Sequence, residues 1–222
     1  MQTKVTFDLP DSTLRIGFLE AFNISVKPSS EKYQQLITDE MKEMLNPGYA
    51  YPDNMQKGVR SLLKNFGFHP SGRSRPASEY LFKDLTNRGS FNYINNIVDI
   101  NNHISLKYKL PISVFDLDKS GFDLCLRVGA DEEEYVFNKE GQVLSLKKLL
   151  LVAKTGAEAI GTPVKDSQAT KVFEPTKKIA FFVYSSSNIT SKEEMEKLLK
   201  EIGRYLEEEA GATDIATAVL DA

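Results

Sequence analysis

The spacing of apolar positions along the chain predicts strands interleaved with helices. Short runs that alternate or are rich in β-branched residues predict strands, and these runs are 4–7, 14–26, 122–128, 135–137, 142–146, 149–153, 178–184 and 215–220. Apolar residues at three- and four-residue intervals predict helices that begin near Ser30, Asn54, Pro76 and Ser191. The last helix is the clearest, because Ser191 and Glu194 form a capping box ahead of an apolar stripe.

A segment dense in asparagine follows the third predicted helix and reads FNYINNIVDINN over 91–102. Its β-branched residues predict strand as far as Leu106, and 115–121 predicts a turn. Asparagine and aspartate are depleted in strands, so a specific role must hold them here. Two roles are open. The side chains either bond neighbouring backbone and turn the chain, or line a pocket in which each amide both donates and accepts.

Composition suits a single globular domain: 222 residues, of which 41% are hydrophobic and 27% charged. The net charge of −3 argues against coating nucleic acid by bulk charge. Residues 56–88 nevertheless hold seven basic side chains against two acidic ones. This cluster is either a solvated face or a patch that contacts phosphates.

Several classes of chemistry lack support in the sequence. The only cysteine, Cys125, permits no intramolecular disulfide. No leader segment and no apolar run long enough to span a membrane is evident, so we expect a cytoplasmic protein without a membrane partner. Phosphate-binding loops, metalloprotease helices and serine elbows are absent from the sequence. Asp116 and Asp118 have the alternate spacing of cation ligands, but 118–121 is typical of a turn. We predict neither a metal nor a cofactor.

Three motifs in order carry a family resemblance: INNIVDINN at 94–102, LPISVFDLDK at 110–119, and Leu126-Arg127. Together they resemble the editing domain of the phenylalanyl-tRNA synthetase beta subunit. SRPASEYLFKDL at 74–85 resembles a helix start of that domain, and free-standing relatives of the domain are closer still. The likeness covers about 60–186. Within a single domain of 1–222 it implies a core at 60–186, an N-terminal elaboration at 1–54, and a C-terminal helix and strand at 190–222. It implies an α+β fold with mixed, mostly antiparallel β-sheets and packed helices.

The function implied by this resemblance is tRNA-linked quality control of translation. A trans-acting editing protein of this kind binds the charged tRNA 3′ end and hydrolyses a mischarged aminoacyl ester. The alternative is a non-catalytic module that binds tRNA ends or an amino acid, so the sequence leaves open whether the chain is an enzyme. The predicted partner is tRNA and not DNA, and no oligomeric state is predicted.

The resemblance also implies roles for particular residues. The catalytic candidates are Asn102, His103 and Ser113. The substrate-binding candidates are Arg75, Ser78, Glu79, Asn95, Asn96, Asp99, Arg127, Gly161 and Asp166. The candidates for the tRNA backbone are Lys57, Arg60, Lys64 and Arg73. The family histidine falls on Ser113 and the family pocket glutamate at about Phe182, so the synthetase's amino-acid specificity does not carry over. His103 is either a polar substitute for that histidine or a surface strand residue.

Overall fold

A four-stranded antiparallel sheet forms the middle layer of the molecule. The computed structural model describes residues 1–10 and 13–222, and Arg73 by its backbone alone. The strands of the sheet lie in the order β10 (Asp214–Asp221), β2 (Leu14–Phe22), β9 (Lys178–Ser186) and β3 (Ile112–Asp116). The sequence Pro10-Asp11-Ser12 predicts a turn between the first two strands, and this segment lies partly outside the described residues. The placement of the Arg73 side chain, a candidate for the tRNA backbone, lies outside them too.

A second sheet covers one face of the first. Its order is β1 (Lys4–Asp8), β4 (Asp123–Val128), β7 (Leu150–Lys154) and β8 (Ala159–Gly161), with β1 and β4 parallel and the other pairs antiparallel. A small hairpin of β5 (Glu134–Val136) and β6 (Val143–Ser145) lies after β4 in the chain. Helices cover the opposite face of the first sheet, so the predicted α+β class, with mostly antiparallel strands, is confirmed.

Burial on both faces explains the continuous apolar run of β9. Phe182 and Tyr184 point into the core between the two sheets, where Phe18 of β2 lies edge-on to Phe182 with 5.2 Å between ring centroids. Phe181 and Val183 point the other way, into the helical layer. Successive side chains of a strand alternate between its faces, so a strand between two layers needs apolar residues at every position.

Six α-helices are present in the described residues: α1 (Glu31–Met41), α2 (Asp53–Asn65), α3 (Ala77–Arg88), α4 (Asn96–Tyr108), α5 (Leu117–Ser120) and α6 (Lys192–Ala210). The capping box predicted for α6 is present, with both Ser191 and Glu194 bonded to backbone N–H groups. Gly89 ends α3 with a φ of 71°, a left-handed conformation that glycine adopts without strain. None of the helices among residues 1–10 and 13–222 is long and apolar enough to cross a membrane.

The strand predicted from the asparagine-rich segment to Leu106 is wrong, because this segment forms helix α4. Asn95 caps the helix, and its side-chain oxygen accepts the Val98 N–H at 3.0 Å. Ile97, Ile100 and Ile104 are fully buried at helical spacing among the residues that α1 and α6 contribute. Their burial outweighs the low helix propensity of β-branched residues and asparagine.

Two smaller boundaries also differ from the sequence prediction. Strand β2 ends at Phe22 and not near residue 26, because Asn23 adopts a left-handed conformation with φ of 57°. The predicted turn at 115–121 contains the end of β3 and the single-turn helix α5. Asp116 caps α5 by accepting the Asp118 N–H at 3.0 Å and pairs with Lys119, which accounts for the carboxylate at 116 without a metal.

Candidate functional site

Side chains in the first half of α4 hydrogen-bond to other segments of the chain and hold them in place. Asn96 is fully buried, and its amide nitrogen donates to the carbonyl oxygens of Ser25 and Glu209, each at 2.9 Å. Its side-chain oxygen accepts from the backbone N–H of Lys27 and Ile97. One side chain therefore joins α4 to the chain after β2 and to the end of α6.

Asp99 has a similar structural environment. Its carboxylate accepts from the Ser29 hydroxyl at 2.6 Å and from the Ile94 N–H at 2.8 Å. Burial raises the pKa of Asp99 above its ordinary value. Asn95, Asn96 and Asp99 were candidates for a substrate pocket, but their described hydrogen bonds all hold neighbouring segments of the chain in place. The first of the two roles left open for this motif applies to these three side chains.

His103 lies neither on a strand nor at the surface. It is fully buried on α4, with Nδ1 at 2.9 Å from the Tyr33 hydroxyl and Nε2 at 2.9 Å from a carboxylate oxygen of Glu40. Both ring nitrogens are thus occupied inside the helical layer. The hydrogen bond from His103, together with Lys107, lowers the pKa of Glu40 to about 2. The reading of His103 as a surface strand residue is wrong, and the geometry assigns it a packing role.

Three predicted residues meet at the end of β8, where Ser113, Gly161 and Asp166 form a buried polar cluster with Tyr184. The Ser113 hydroxyl is 2.5 Å from Asp166 Oδ1 and 3.0 Å from the Tyr184 hydroxyl. When the Asp166 carboxyl is ionised it can only accept, so Ser113 donates its one proton to Asp166 and Tyr184 donates to Ser113. The carboxyl of Asp166 is enclosed although the residue keeps some exposure, and burial raises its pKa to about 7.

Gly161 makes room for this cluster. A Cβ added there would lie 2.4 Å from the Phe115 ring and 2.6 Å from Asp166 Oδ1. Both distances are shorter than any unstrained contact, and Phe115 is fully buried. A glycine at this position therefore allows the carboxylate to sit beside β3.

Replacing Gly161 with alanine is expected to destabilise the fold. The added methyl must displace either the Phe115 ring or the Asp166 carboxyl, an overpacking cost of about 1–3 kcal/mol. The thermal midpoint should fall by roughly 3–10 °C in a circular dichroism melt. Gly203→Ala is the matched control, because its new Cβ meets nothing nearer than 3.7 Å and lies within helix α6. Equal midpoints for the two variants would contradict the close packing at Gly161.

The remaining charged candidates are largely held in ion pairs. Glu79 is buried, and Arg60 contacts it through two nitrogens at 2.7 and 2.5 Å. Arg127 holds Glu133 in the same bidentate way, at 2.7 and 2.6 Å. Lys57 pairs with Asp53 one helical turn away. These contacts fasten α2 to α3 and brace the loop after β4.

Ser78 and Lys64 are the other candidates on α3 and α2. Ser78 is buried and accepts a hydrogen bond from the Tyr51 hydroxyl at 3.1 Å. Lys64, in the last turn of α2, is exposed. Of the residues predicted for the tRNA backbone, Lys57 and Lys64 thus extend into solvent, whereas Arg60 is turned towards Glu79.

Arg75 opens onto a cleft of about 570 Å³ beside α3, which we call the basic cleft. The cleft is lined by Gly72, Arg75, Tyr80, Lys83, Asp84, Asn87, Gln142 and Lys165. The loop between Gly161 and Asp166 forms one side, since Asp166 points inward while Lys165 lines the cleft and lies 3.8 Å above the Phe137 ring centroid. Tyr135 donates a hydrogen bond to the Lys165 carbonyl and fixes the loop from within.

Asn102 lines a second cleft, of about 200 Å³, on the other side of α3. We call it the Asn102 cleft, and it is lined by Tyr80, Leu81, Asp84, Leu85, Arg88, Phe91, Asn92, Ile94, Asn102 and Leu106. The two clefts share Tyr80 and Asp84, so they adjoin across the exposed face of α3. Asn102 is therefore far more accessible than the other two catalytic candidates, His103 and Ser113, which are enclosed in separate clusters.

Sequence reasoning missed three residues of these clefts. Tyr80, Leu81, Phe82 and Leu85 predict an apolar side for the third helix, but Tyr80 is 53% exposed. Lys165 and Gln142 reach the basic cleft from segments distant in sequence, and only the tertiary fold brings them to α3. The basic excess at 56–88 did signal Lys83.

These features define a three-layer α+β protein with a basic cleft and an apolar, amide-bearing cleft on one helix. A family model described as the B3/4 domain matches residues 70–219, and the chain belongs to that family. The chain is 35% identical over 201 residues to a phenylalanine–tRNA ligase beta subunit from Fusobacterium nucleatum, a match covering 86% of this chain and 24% of that protein. The resemblance found in the motifs is thereby confirmed.

Further relatives have the same description. A phenylalanine–tRNA ligase beta subunit from Listeria monocytogenes is 33% identical over 98 residues, which are 43% of this chain and 12% of that protein. The chain thus spans a quarter or less of the length of these relatives. A crystal structure of an N-terminal fragment of the phenylalanyl-tRNA synthetase beta subunit from Pyrococcus horikoshii covers 100% of this chain and 55% of its own, with 12% identity and a TM-score of 0.45. The family assignment depends on the family model and not on this distant likeness.

Proposed function

We propose that this chain binds the charged 3′ end of tRNA and hydrolyses a mischarged aminoacyl ester in trans. The observation that carries the proposal is the pair of adjoining clefts on α3. Arg75, Lys83 and Lys165 give the basic cleft the positive charge that phosphates require. Asn102 offers an amide to the ester or the terminal ribose in the neighbouring cleft. The names of the B3/4 relatives, which are tRNA ligase subunits, support the same partner.

The buried polar cluster has a positioning role in this proposal. Asp166 and Ser113 hold the far side of the loop whose Lys165 lines the basic cleft. Neither side chain needs to touch the tRNA in order to fix the loop. Hydrolysis then depends on the geometry around Asn102, where an amide donor can stabilise charge that develops on the ester oxygen.

Release of amino acid from charged tRNA tests the proposal. A panel of correctly and wrongly charged tRNAs should show selective release, and Asn102→Ala should lower the rate about 100-fold, as loss of one charge-stabilising donor does. Asn188→Ala is the matched control, since that exposed asparagine lines neither cleft. No release from any charged tRNA by a folded protein would refute hydrolysis.

The second candidate is a binding module without hydrolysis. It is favoured by the enclosure of His103 and Ser113, whose polar atoms are engaged by Tyr33, Glu40, Asp166 and Tyr184. Binding of charged tRNA with no release of amino acid would identify this function. Its affinity should fall steeply with salt if phosphates occupy the basic cleft, whereas binding of a free amino acid should not.

A further inference from the structure

Tyr80 occupies an unusual position on α3. Its side chain is 53% exposed, more than that of any other Phe or Tyr in the described part of the chain. It lines both clefts and stands on the ridge between them. An exposed aromatic ring at the border of two clefts presents a flat apolar surface to whatever enters either of them.

The basic cleft on one side of Tyr80 has unbalanced positive charge. Among the described residues, the one carboxylate that lines this cleft is Asp84, whose two oxygens lie within 2.9 Å of Arg88 Nε, so that its charge is neutralised. Arg75 donates from Nε to the Gly72 carbonyl, which holds the guanidinium in place without cancelling its charge. Lys83 lies three residues after Tyr80, on the same face of the helix, and is exposed. Charge complementarity therefore points to an anionic occupant.

The Asn102 cleft, on the other side of Tyr80, is lined mostly by apolar side chains. It is lined by the apolar side chains of Leu81, Leu85, Phe91, Ile94 and Leu106, together with the amides of Asn92 and Asn102 and the Asp84–Arg88 ion pair. The side-chain oxygen of Asn102 accepts from Asn101 at 3.2 Å. Its amide nitrogen has no hydrogen-bond partner among the described residues.

We infer that Tyr80 is a stacking platform for the last base of a single-stranded RNA 3′ end. The strand's phosphates lie in the basic cleft against Arg75 and Lys83, the terminal base rests on the Tyr80 ring, and the group carried on the terminal ribose enters the Asn102 cleft. This inference rests on the proposed function. It adds the direction in which the RNA strand runs across α3 and names Tyr80 as the residue that recognises the terminal base.

Single-stranded RNA fits this arrangement better than a duplex. Bases of a single strand are free to stack on aromatic side chains while cations follow the backbone. A duplex keeps its bases paired and offers none to Tyr80. The two clefts meet at Tyr80, so a terminal ribose whose base stacks on that ring can direct its 5′ phosphate into one cleft and its esterified hydroxyl into the other.

A cycle of protein and RNA variants tests the platform. The intact protein is titrated by fluorescence anisotropy with a labelled RNA hairpin that bears a single-stranded 3′ overhang. A second titration uses the same RNA with an abasic last nucleotide, which keeps the ribose and phosphate but has no terminal base. Tyr80→Ala should weaken binding of the complete RNA about 5- to 100-fold, whereas Tyr80→Phe should keep it, because the ring and not the hydroxyl stacks. For the RNA without its last base, wild type and Tyr80→Ala should bind equally.

The outcomes separate the two proposals. Phe173→Ala is the control, since Phe173 is exposed, lies 4.9 Å from a lysine amine and lines neither cleft. If wild type binds the RNA and Tyr80→Ala binds it equally well, the platform is overturned while tRNA binding stands. If wild type binds no RNA even at low salt, the proposed function fails together with the platform. Lys83→Gln should lower the slope of log affinity against log salt by about one.

Discussion

Asn96→Asp is expected to lower the free energy of unfolding by about 3–5 kcal/mol, a fifth or more of the roughly 5–15 kcal/mol of an ordinary domain. The reason is the pair of carbonyl oxygens, from Ser25 and Glu209, that the Asn96 amide nitrogen now bonds. An aspartate oxygen at that position would face both carbonyl oxygens, and because all three atoms are hydrogen-bond acceptors they repel one another. The side chain is fully buried, so water cannot relieve the repulsion.

Chemical denaturation followed by circular dichroism measures this loss. The thermal midpoint should fall by roughly 10 °C in parallel. Asn92→Asp is the matched control, because it makes the same charge change in the same segment at an exposed position. The control should stay within about 0.5 kcal/mol of wild type. An Asn96→Asp variant as stable as the control would show that Asn96 does not hold the three segments together.

Asp166 should make the protein less stable as the pH rises from 4 to 7. Burial raises its pKa from 3.8 to about 7. In that window the folded protein keeps a proton that the unfolded chain releases, so stability falls with rising pH. Three pKa units correspond to about 4 kcal/mol when the titration is complete. Asp166→Asn keeps a neutral side chain at every pH and should therefore be the more stable form above pH 7.

The difference between the two unfolding profiles isolates this group. Wild type minus Asp166→Asn should decline across pH 4–7 and be level above it. Asp131→Asn, the same substitution at an aspartate whose side chain is 67% exposed, is the matched control. The low pKa of Glu40 acts in the opposite sense and at lower pH, since its stabilisation is lost as the pH falls below about 4.5. A carbon-13 titration of Asp166 with a midpoint near 4 would contradict the enclosure of its carboxyl.

Local signals in the sequence were sufficient for much of the fold. Helix α6 was predicted because its capping box and apolar stripe agree. The prediction for α4 was wrong because the β-branched residues of this segment favour strand. Ile97, Ile100 and Ile104 also have helical spacing, but this spacing decides the structure only when another layer buries the three side chains. Asn95, which the motif placed in a pocket, is the N-cap that begins this helix.

The candidate site was predicted less well, for a physical reason. A motif tells which residues are unusual but not which way they point. His103 turns inward because its two ring nitrogens bond to side chains about 60–70 residues earlier: Nε2 donates to the Glu40 carboxylate, and Nδ1 accepts from the Tyr33 hydroxyl. Glu79 is buried because Arg60 covers it. Ser113 and Asp166 were both candidates, and their contact could not be read from residues 53 positions apart.

The position of β2 limits how this protein can be divided. The family model begins at residue 70, yet β2, at Leu14–Phe22, lies between β9 and β10 and bonds to both. A fragment cut to the matched residues would lose the strand that joins the C-terminal β10 to the rest of the sheet. Two rows of backbone N–H and C=O groups would be left open, and such edges recruit strands from other copies. The part of the chain that the family model matches is therefore not a unit that can be expressed or transplanted alone.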